Sequence, residues 1–213
     1  MKVVLLQHTP GPDSVVALAA SQCYADGFVA DGRTPPLNLI PKILDNGHLS
    51  VLEHASFTFA VEGISRACSH QLVRHRLASF SQQSQRYVKG IFSYITPETI
   101  AQNDMFHKEY NFLMDRIVDL YNTMLNMGIP AEDARFVLPN AAETKLVMTM
   151  NARELYHFFN VRCCTRAQWE IRNMADEMLR LVKRVAPMIF SYAGASCVTT
   201  GKCPEGTKTC GRG

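Results

Sequence analysis

Phe57, Phe59 and Val61 alternate with Thr58, Ala60 and Glu62, the two-residue period of a strand with one buried face. Gly63 ends that pattern. Residues 145–150 alternate in the same way, and residues 2–7 form a short apolar run that His8-Thr9-Pro10-Gly11-Pro12 interrupts. Both predict strands, and residues 92–95, just ahead of Pro97, predict a shorter one. Elsewhere the spacing turns helical. Asp13 is placed to cap a helix reaching residue 24. A second helix covers residues 37–46 and stops at Gly47, with Pro41 tolerable only near its first turn. Ser65 can cap a helix carrying Ala67, Cys68, Gln71 and Leu72. Residues 102–127 predict a long helix closed by Gly128 and Pro130, and residues 131–136 a short one stopped by Pro139. Asn151, with Glu154 three positions on, opens another in a capping-box arrangement. After a break near Cys164, residues 167–190 predict the last long helix. Residues 31–36 read as a polar turn. Residues 79–87, dense in Ser and Gln without an apolar period, read as a functional loop.

The mixture predicts an α+β fold: one domain over residues 1–195, with a central mixed or antiparallel sheet flanked by long helices. A Cys-, Gly- and Lys-rich tail over residues 196–213 follows. At 213 residues with 47% apolar and 19% charged positions, the chain has enough material for one proper core. No apolar run approaches the length of a membrane span, and no secretory signal follows Met1-Lys2, so a cytoplasmic location without a membrane partner is expected.

The net charge of +3 does not by itself call for a nucleic acid. The placement of the arginines matters more. Arg74, Arg76, Arg86, Arg135, Arg153, Arg162 and Arg166 fall in three stretches between residues 70 and 170, and arginine suits bidentate recognition of phosphate or carboxylate. Solvated helix faces are the plain alternative for any one of them. On a helix, Gln71, Arg74 and His75 share a face, whereas Arg74 and Arg76 point nearly opposite ways. If the helix continued through residue 76, the two arginines would have to serve two ligands, or a ligand and a neighbouring subunit. If it unwinds there, they can converge. The loop beyond supplies Ser79, Ser81, Gln82, Gln83, Ser84, Gln85 and Arg86, whose hydroxyls, amides and guanidinium suit a nucleotide.

The string RHRLASFSQQSQR, residues 74–86, resembles the motif of the flavin-dependent thymidylate synthases: Arg-His-Arg, seven residues, Ser, one residue, Arg. GHLSVLEHASFTF (47–59), SRACSHQLVRHR (65–76), EDARFVLP (132–139), NARELYHFFNVR (151–162) and RAQWEI (166–171) resemble other segments of that family in the same order. The likeness covers about residues 47–171.

The resemblance implies that family's fold and its reductive methylation of dUMP to dTMP. The carbon donor would be 5,10-methylenetetrahydrofolate, with hydride passing from NADPH through FAD. A homotetramer with active sites at subunit interfaces is implied as well. By motif position, Arg74, His75 and Arg76 would contact FAD, with His48, Ser50, Glu53, Asn151, Arg153, His157 and Arg166 also on the flavin side. Gln71, Ser84, Gln85, Arg86, Arg135 and Arg162 would hold dUMP: Arg86 and Arg135 its phosphate, Arg162 its uracil edge. Because the loop around Ser84 carries no acid or histidine to serve as a base, Ser84 is expected to orient the substrate and not to attack it. Ser81 and Gln82 stand where many members carry Asn and Glu, and Arg166 where many carry His.

Plainer roles exist for several of these residues: helix capping for Asn151 and His48, an exposed stripe for Arg153 and His157, neutralisation of an arginine for Glu53. Cys197, Cys203 and Cys210 are spaced by five and six residues, wider than the Cys-x-x-Cys pairs of most structural zinc sites, so no metal is expected there. The competing reading of the whole is a basic nucleotide- or nucleic-acid-binding module without catalysis; a third is a structural protein with a metal-clipped tail.

Overall fold

The computed structural model describes residues 1–27, 34–88 and 92–211. The expected turn at residues 31–36 therefore lies partly outside the described residues. The strands are β1 (Lys2–His8), β2 (Ser56–Ser65), β3 (Ala78–Gln82) and β4 (Glu143–Asn151), forming one open antiparallel sheet in the order β1-β2-β4-β3. The helices are α1 (Pro12–Gln22), α2 (Leu39–Asp45), α3 (Arg66–Leu72), α4 (Glu98–Ala101), α5 (Asp104–Asn126), α6 (Ala131–Ala134), α7 (Ala152–Arg162), α8 (Trp169–Val185) and α9 (Ser196–Thr200). The mixed α/β character and the single central sheet agree with the expected class.

The chain forms two compact units. One comprises Met1–Lys2, Val61–Leu72 and Ser81–Leu146; the other Val3–Ala60, Val73–Phe80 and Val147–Gly213. In the larger unit, Phe57 and Phe59 from β2, Phe158 and Phe159 from α7, and Phe190 are fully buried. Phe57 meets Phe190 edge-on at 5.4 Å between ring centres, and the 3-10 turn Leu49–His54 and helices α8 and α9 pack on α7. In the smaller unit, α4 and α6 pack on α5, whose Met114 and Tyr121 are buried. Phe106, Leu113, Leu120 and Met127, each seven residues after the last, are all about half exposed or more. Seven residues are nearly two helical turns, so these side chains make an apolar stripe along one face of α5.

Several expectations are corrected. Asp13 does not cap α1: Gly11 holds the cap position, and the Asp13 carboxylate instead accepts the backbone N–H groups of Met188 and Ile189 at 3.1 and 3.0 Å. Gly63 does not end β2. The strand runs on to Ser65, and its buried positions slip from 57, 59 and 61 to 64. Gly63, at φ 73, absorbs the slip, where a Cβ would lie 3.0 Å from the Met1 backbone. Residues 78–82 are a strand and not loop. Phe92–Ile95 contributes only the isolated bridge of Tyr94 to Ala142. The last long helix stops at Val185 because Pro187 follows closely, leaving Phe190 in a turn.

Ser65 Oγ accepts from Cys68 N at 3.0 Å, as its cap position requires. Asn151 Oδ1 accepts from Glu154 N at 2.9 Å. The second half of that capping box is given up, since the Glu154 carboxylate has gone elsewhere.

Candidate functional site

Helix α3 ends at Leu72, so Val73–Arg74 is a turn and His75–Arg76 lies in neither helix nor strand before β3. The unwound alternative therefore holds. The divergence of Arg74 and Arg76 does not arise, and with it goes the geometric reason for serving two subunits. In the larger unit, Arg74, His75, Arg76, Leu77, Arg153, Glu154 and His157 wall one cavity of about 420 Å³. Arg153 and His157, four apart on α7, also line a neighbouring cavity of about 780 Å³, with Tyr156, Asn160 and Tyr192.

His75 is the fixed point of this wall. Its ring is 5% exposed and sits edge-on to Phe158 at 5.0 Å. Arg162 Nε lies 3.1 Å from His75 Nε2. A guanidinium can only donate, so Nε2 carries the lone pair and the proton is on Nδ1. Nδ1–H then donates to Glu154 Oε1 at 3.2 Å. The ring is neutral on this geometry, and its pKa agrees: burial, then Arg162, then His157 lower it from 6.5 to about 4. Burial raises the carboxyl of Glu154, against a smaller opposing pull from His157.

His75, Glu154 and His157 each present a donor atom within 4.8 Å of the others. With one His75 nitrogen taken by Arg162 and the other protonated toward Glu154, they do not form a metal-ligand set. Glu154 was missed by sequence reasoning, which gave it only a capping role; its position on the apolar face of α7 was the available sign.

Of the other residues expected on the flavin side, Glu53 is paired with Arg153, so its neutralising role holds. His48 and Ser50 are exposed at the start of the 3-10 turn that packs on α7. Arg166 is not on the Arg74–His157 cavity: it pairs with Glu205 at 3.2 Å and bonds to the Lys208 carbonyl at 3.4 Å.

Of the residues expected to hold the nucleotide, Gln71, Ser84, Gln85, Arg86 and Arg135 belong to the smaller unit and Arg162 to the larger. Gln83, Ser84, Gln85, Glu143, Thr144 and Lys145 line a cavity of about 230 Å³. Gln83 N donates to Lys145 O at 2.9 Å and Gln82 Nε2 to Thr144 Oγ1 at 3.1 Å, so the start of β4 holds the loop. Ser84 Oγ accepts from Arg86 N at 3.2 Å. Glu143 supplies this cavity with the carboxylate that the loop itself lacks. Arg86 pairs with Glu132 at 2.8 Å, and Arg135 Nε donates to Glu132 O at 3.1 Å. Gln71 bonds back to Ala67 O at 3.4 Å.

Sequence reasoning also missed Arg66. Its guanidinium donates to Gln85 Oε1 at 3.2 Å, and burial, then the charge of Arg135, lower its pKa. A guanidinium destabilised by burial and by a second arginine, beside a polar loop, is suited to an anion.

The family described as "Thymidylate synthase complementing protein" matches residues 4–188. The chain is 56% identical to a flavin-dependent thymidylate synthase of Geobacter sulfurreducens, covering 100% of this chain and 94% of that protein. It is 50% identical to one from Nitratidesulfovibrio vulgaris, covering 99% and 94%, and 45% identical to one from Pyrococcus horikoshii, covering 96% and 90%. The arginine-rich cavity around a locked, neutral histidine and the polar loop beside Arg66 and Arg135 thus sit in a chain that belongs to the flavin-dependent thymidylate synthases.

Proposed function

We propose that the chain converts dUMP to dTMP, taking carbon from 5,10-methylenetetrahydrofolate and hydride from NADPH by way of FAD. The observation that carries this reading is the convergence of Arg74, Arg76, Arg153 and His157 around His75 on one cavity. Its volume lies within the range of cofactor pockets, its three guanidinium groups suit a diphosphate, and the exposed Leu77 offers an apolar face. These residues fit FAD. When bound, it would supply the hydride that completes the methyl group.

The chain's own residues bind and orient. Arg74, Arg76 and Arg153 counter phosphate charge, with Glu53 holding Arg153 in place. His75 and Glu154 hold Arg162, the residue we assign to the uracil edge, in place. Asn151 keeps its amide N–H groups for a ligand while its oxygen caps α7. His48, Ser50 and His157 complete the flavin side. On the nucleotide side, Arg86, Arg135 and Arg66 hold the phosphate, Gln71 and Gln85 the sugar and base, and Ser84 the orientation of the ring. Arg86 must exchange Glu132 for phosphate. The homotetramer with shared sites is carried over from the family resemblance; the exposed stripe of Phe106, Leu113, Leu120 and Met127 suits a contact with a second copy of α5. Membership of an enzyme family replaces the reading as a non-catalytic nucleic-acid module.

The test is anaerobic. NADPH should bleach the purified protein's flavin, and adding dUMP with 5,10-methylenetetrahydrofolate should restore its colour and yield one dTMP per flavin. Restored colour without dTMP would leave only a generic flavin oxidase and refute the proposal.

A further inference from the structure

Glu154 stands in the first turn of α7 and Arg162 at its last residue, eight positions and about 12 Å of helix rise apart. His75, brought in from between α3 and β3, bridges them. Its Nδ1 lies 3.2 Å from Glu154 Oε1 and its Nε2 3.1 Å from Arg162 Nε, and all three residues belong to the larger unit. The bridge is out of water: the side chains of His75 and Glu154 are 4% and 6% exposed. Phe158 meets the imidazole edge-on at 5.0 Å and His157 lies tilted against it at 5.5 Å, so packing opposes a turn of the ring. A carboxylate this far from water needs a hydrogen-bond donor, and the imidazole supplies it. A Glu at the third helical position ordinarily reaches back to the N-cap N–H; here the side chain is given to His75.

A neutral imidazole can keep its proton on either nitrogen. A guanidinium has only donors, so Arg162 is held only by the tautomer whose Nε2 is bare. With the proton on Nε2, two N–H groups would point at each other, and Arg162 would have to leave the ring. The choice falls to the group at the other nitrogen, as it does for histidines that ligate metals. In this chain that group is the Glu154 carboxylate.

We propose that Glu154 is a positioning residue for the reaction: by accepting the Nδ1 proton of His75 it fixes the tautomer whose bare Nε2 holds Arg162, and so sets the aim of that arginine at the uracil. The inference rests on the assignment of Arg162 to dUMP. Glu154 acts here as an acceptor and not as a base. No bond is made or broken in this role, and the proton stays on the ring. What Glu154 supplies is orientation, and small errors of orientation are costly at a reacting centre.

The experiment uses the flavin-loaded full chain with nitrogen-15 in its histidines. At pH 7 the NMR signals of His75, identified by their loss in His75→Gln, should show a protonated Nδ1 and a bare Nε2. Glu154→Leu removes the acceptor at similar volume and should move the proton to Nε2. Glu154→Gln, whose amide oxygen still accepts, should keep the wild-type pattern. The dissociation constant of dUMP, read from its perturbation of the flavin spectrum, should rise at least about tenfold in Glu154→Leu and return to near the wild-type value in Glu154→Gln. In an Arg162→Ala background Glu154→Leu should add less than about twofold, because the two residues act as one unit; a merely structural role would cost the same in both backgrounds. An equal loss in both, or a leucine variant that keeps tautomer and affinity, overturns the proposal. Should Glu154→Leu fail to melt like the wild type, the rings of the wild type and of Glu154→Gln decide, and a proton on Nε2 in either overturns it. If the wild type holds flavin but does not bind dUMP, the functional reading falls and this inference with it; a wrong tautomer with dUMP binding intact refutes this inference alone.

Discussion

Acidifying the protein from pH 7 to pH 4.5 should remove stability that one buried ring supplies. His75 has a pKa of about 4 in the folded chain, against 6.5 when free. Between those values the unfolded chain binds a proton that the folded chain refuses. The contribution of His75 is therefore fully present above pH 6.5 and is lost as pH falls toward 4. At about 1.4 kcal/mol per pH unit the whole interval is worth about 3 kcal/mol, of which about 2 kcal/mol has gone by pH 4.5. Glu154, whose carboxyl is raised by burial, titrates with the opposite sign and trims the total. His75→Gln isolates the effect: its amide can still donate to Glu154 and accept from Arg162, but does not titrate. The assay is urea unfolding at a series of pH values for both proteins, with midpoints converted through a shared slope. The wild type should lose about 2 kcal/mol more than the variant between pH 7 and 4.5. Parallel pH profiles would refute the neutral, locked tautomer and with it the electrostatics assigned to this wall.

Ser84→Ala should retain dTMP formation, with kcat/KM lowered about tenfold, the cost of about one hydrogen bond; complete loss with flavin and dUMP still bound would show that Ser84 acts chemically. Arg66→Ala should raise the KM for dUMP by about tenfold or more, since a charge-assisted hydrogen bond is worth about 1.5–3 kcal/mol, and should leave any turnover of unphosphorylated deoxyuridine unchanged. Equal losses on both substrates would remove Arg66 from the phosphate. Asp13→Ala leaves the N–H groups of Met188 and Ile189 without their acceptor and should lower stability by about 2–3 kcal/mol in urea unfolding; a change under about 0.5 kcal/mol would show those groups are solvated. Asn151→Ala should cost about 1 kcal/mol through loss of the α7 cap, measured the same way, and a neutral result would count against that cap.

The sequence by itself determined the local elements and the chemistry on offer. Alternation placed β2 and β4, because a strand buried on one face must alternate. Ser65 and Asn151 announced their helix starts, because an orphan N–H needs an acceptor within three residues. The Arg74–Arg86 motif named the family. What depends on distant partners was decided only by the tertiary structure. Asp13 has the look of a cap, yet its acceptors serve N–H groups about 175 residues away. Gly63 looks like a strand end, yet its positive φ lets β2 continue past Met1. Glu154 looks like half of a capping box, but the buried imidazole of His75 is the stronger claimant, being unable to find water. Nothing local marks Arg66 as the neighbour of Gln85 and Arg135. Short-range hydrogen bonds and periodic burial are written in neighbouring residues; the pairing of buried charge, and the convergence of side chains on a site, exist only once the chain has closed on itself.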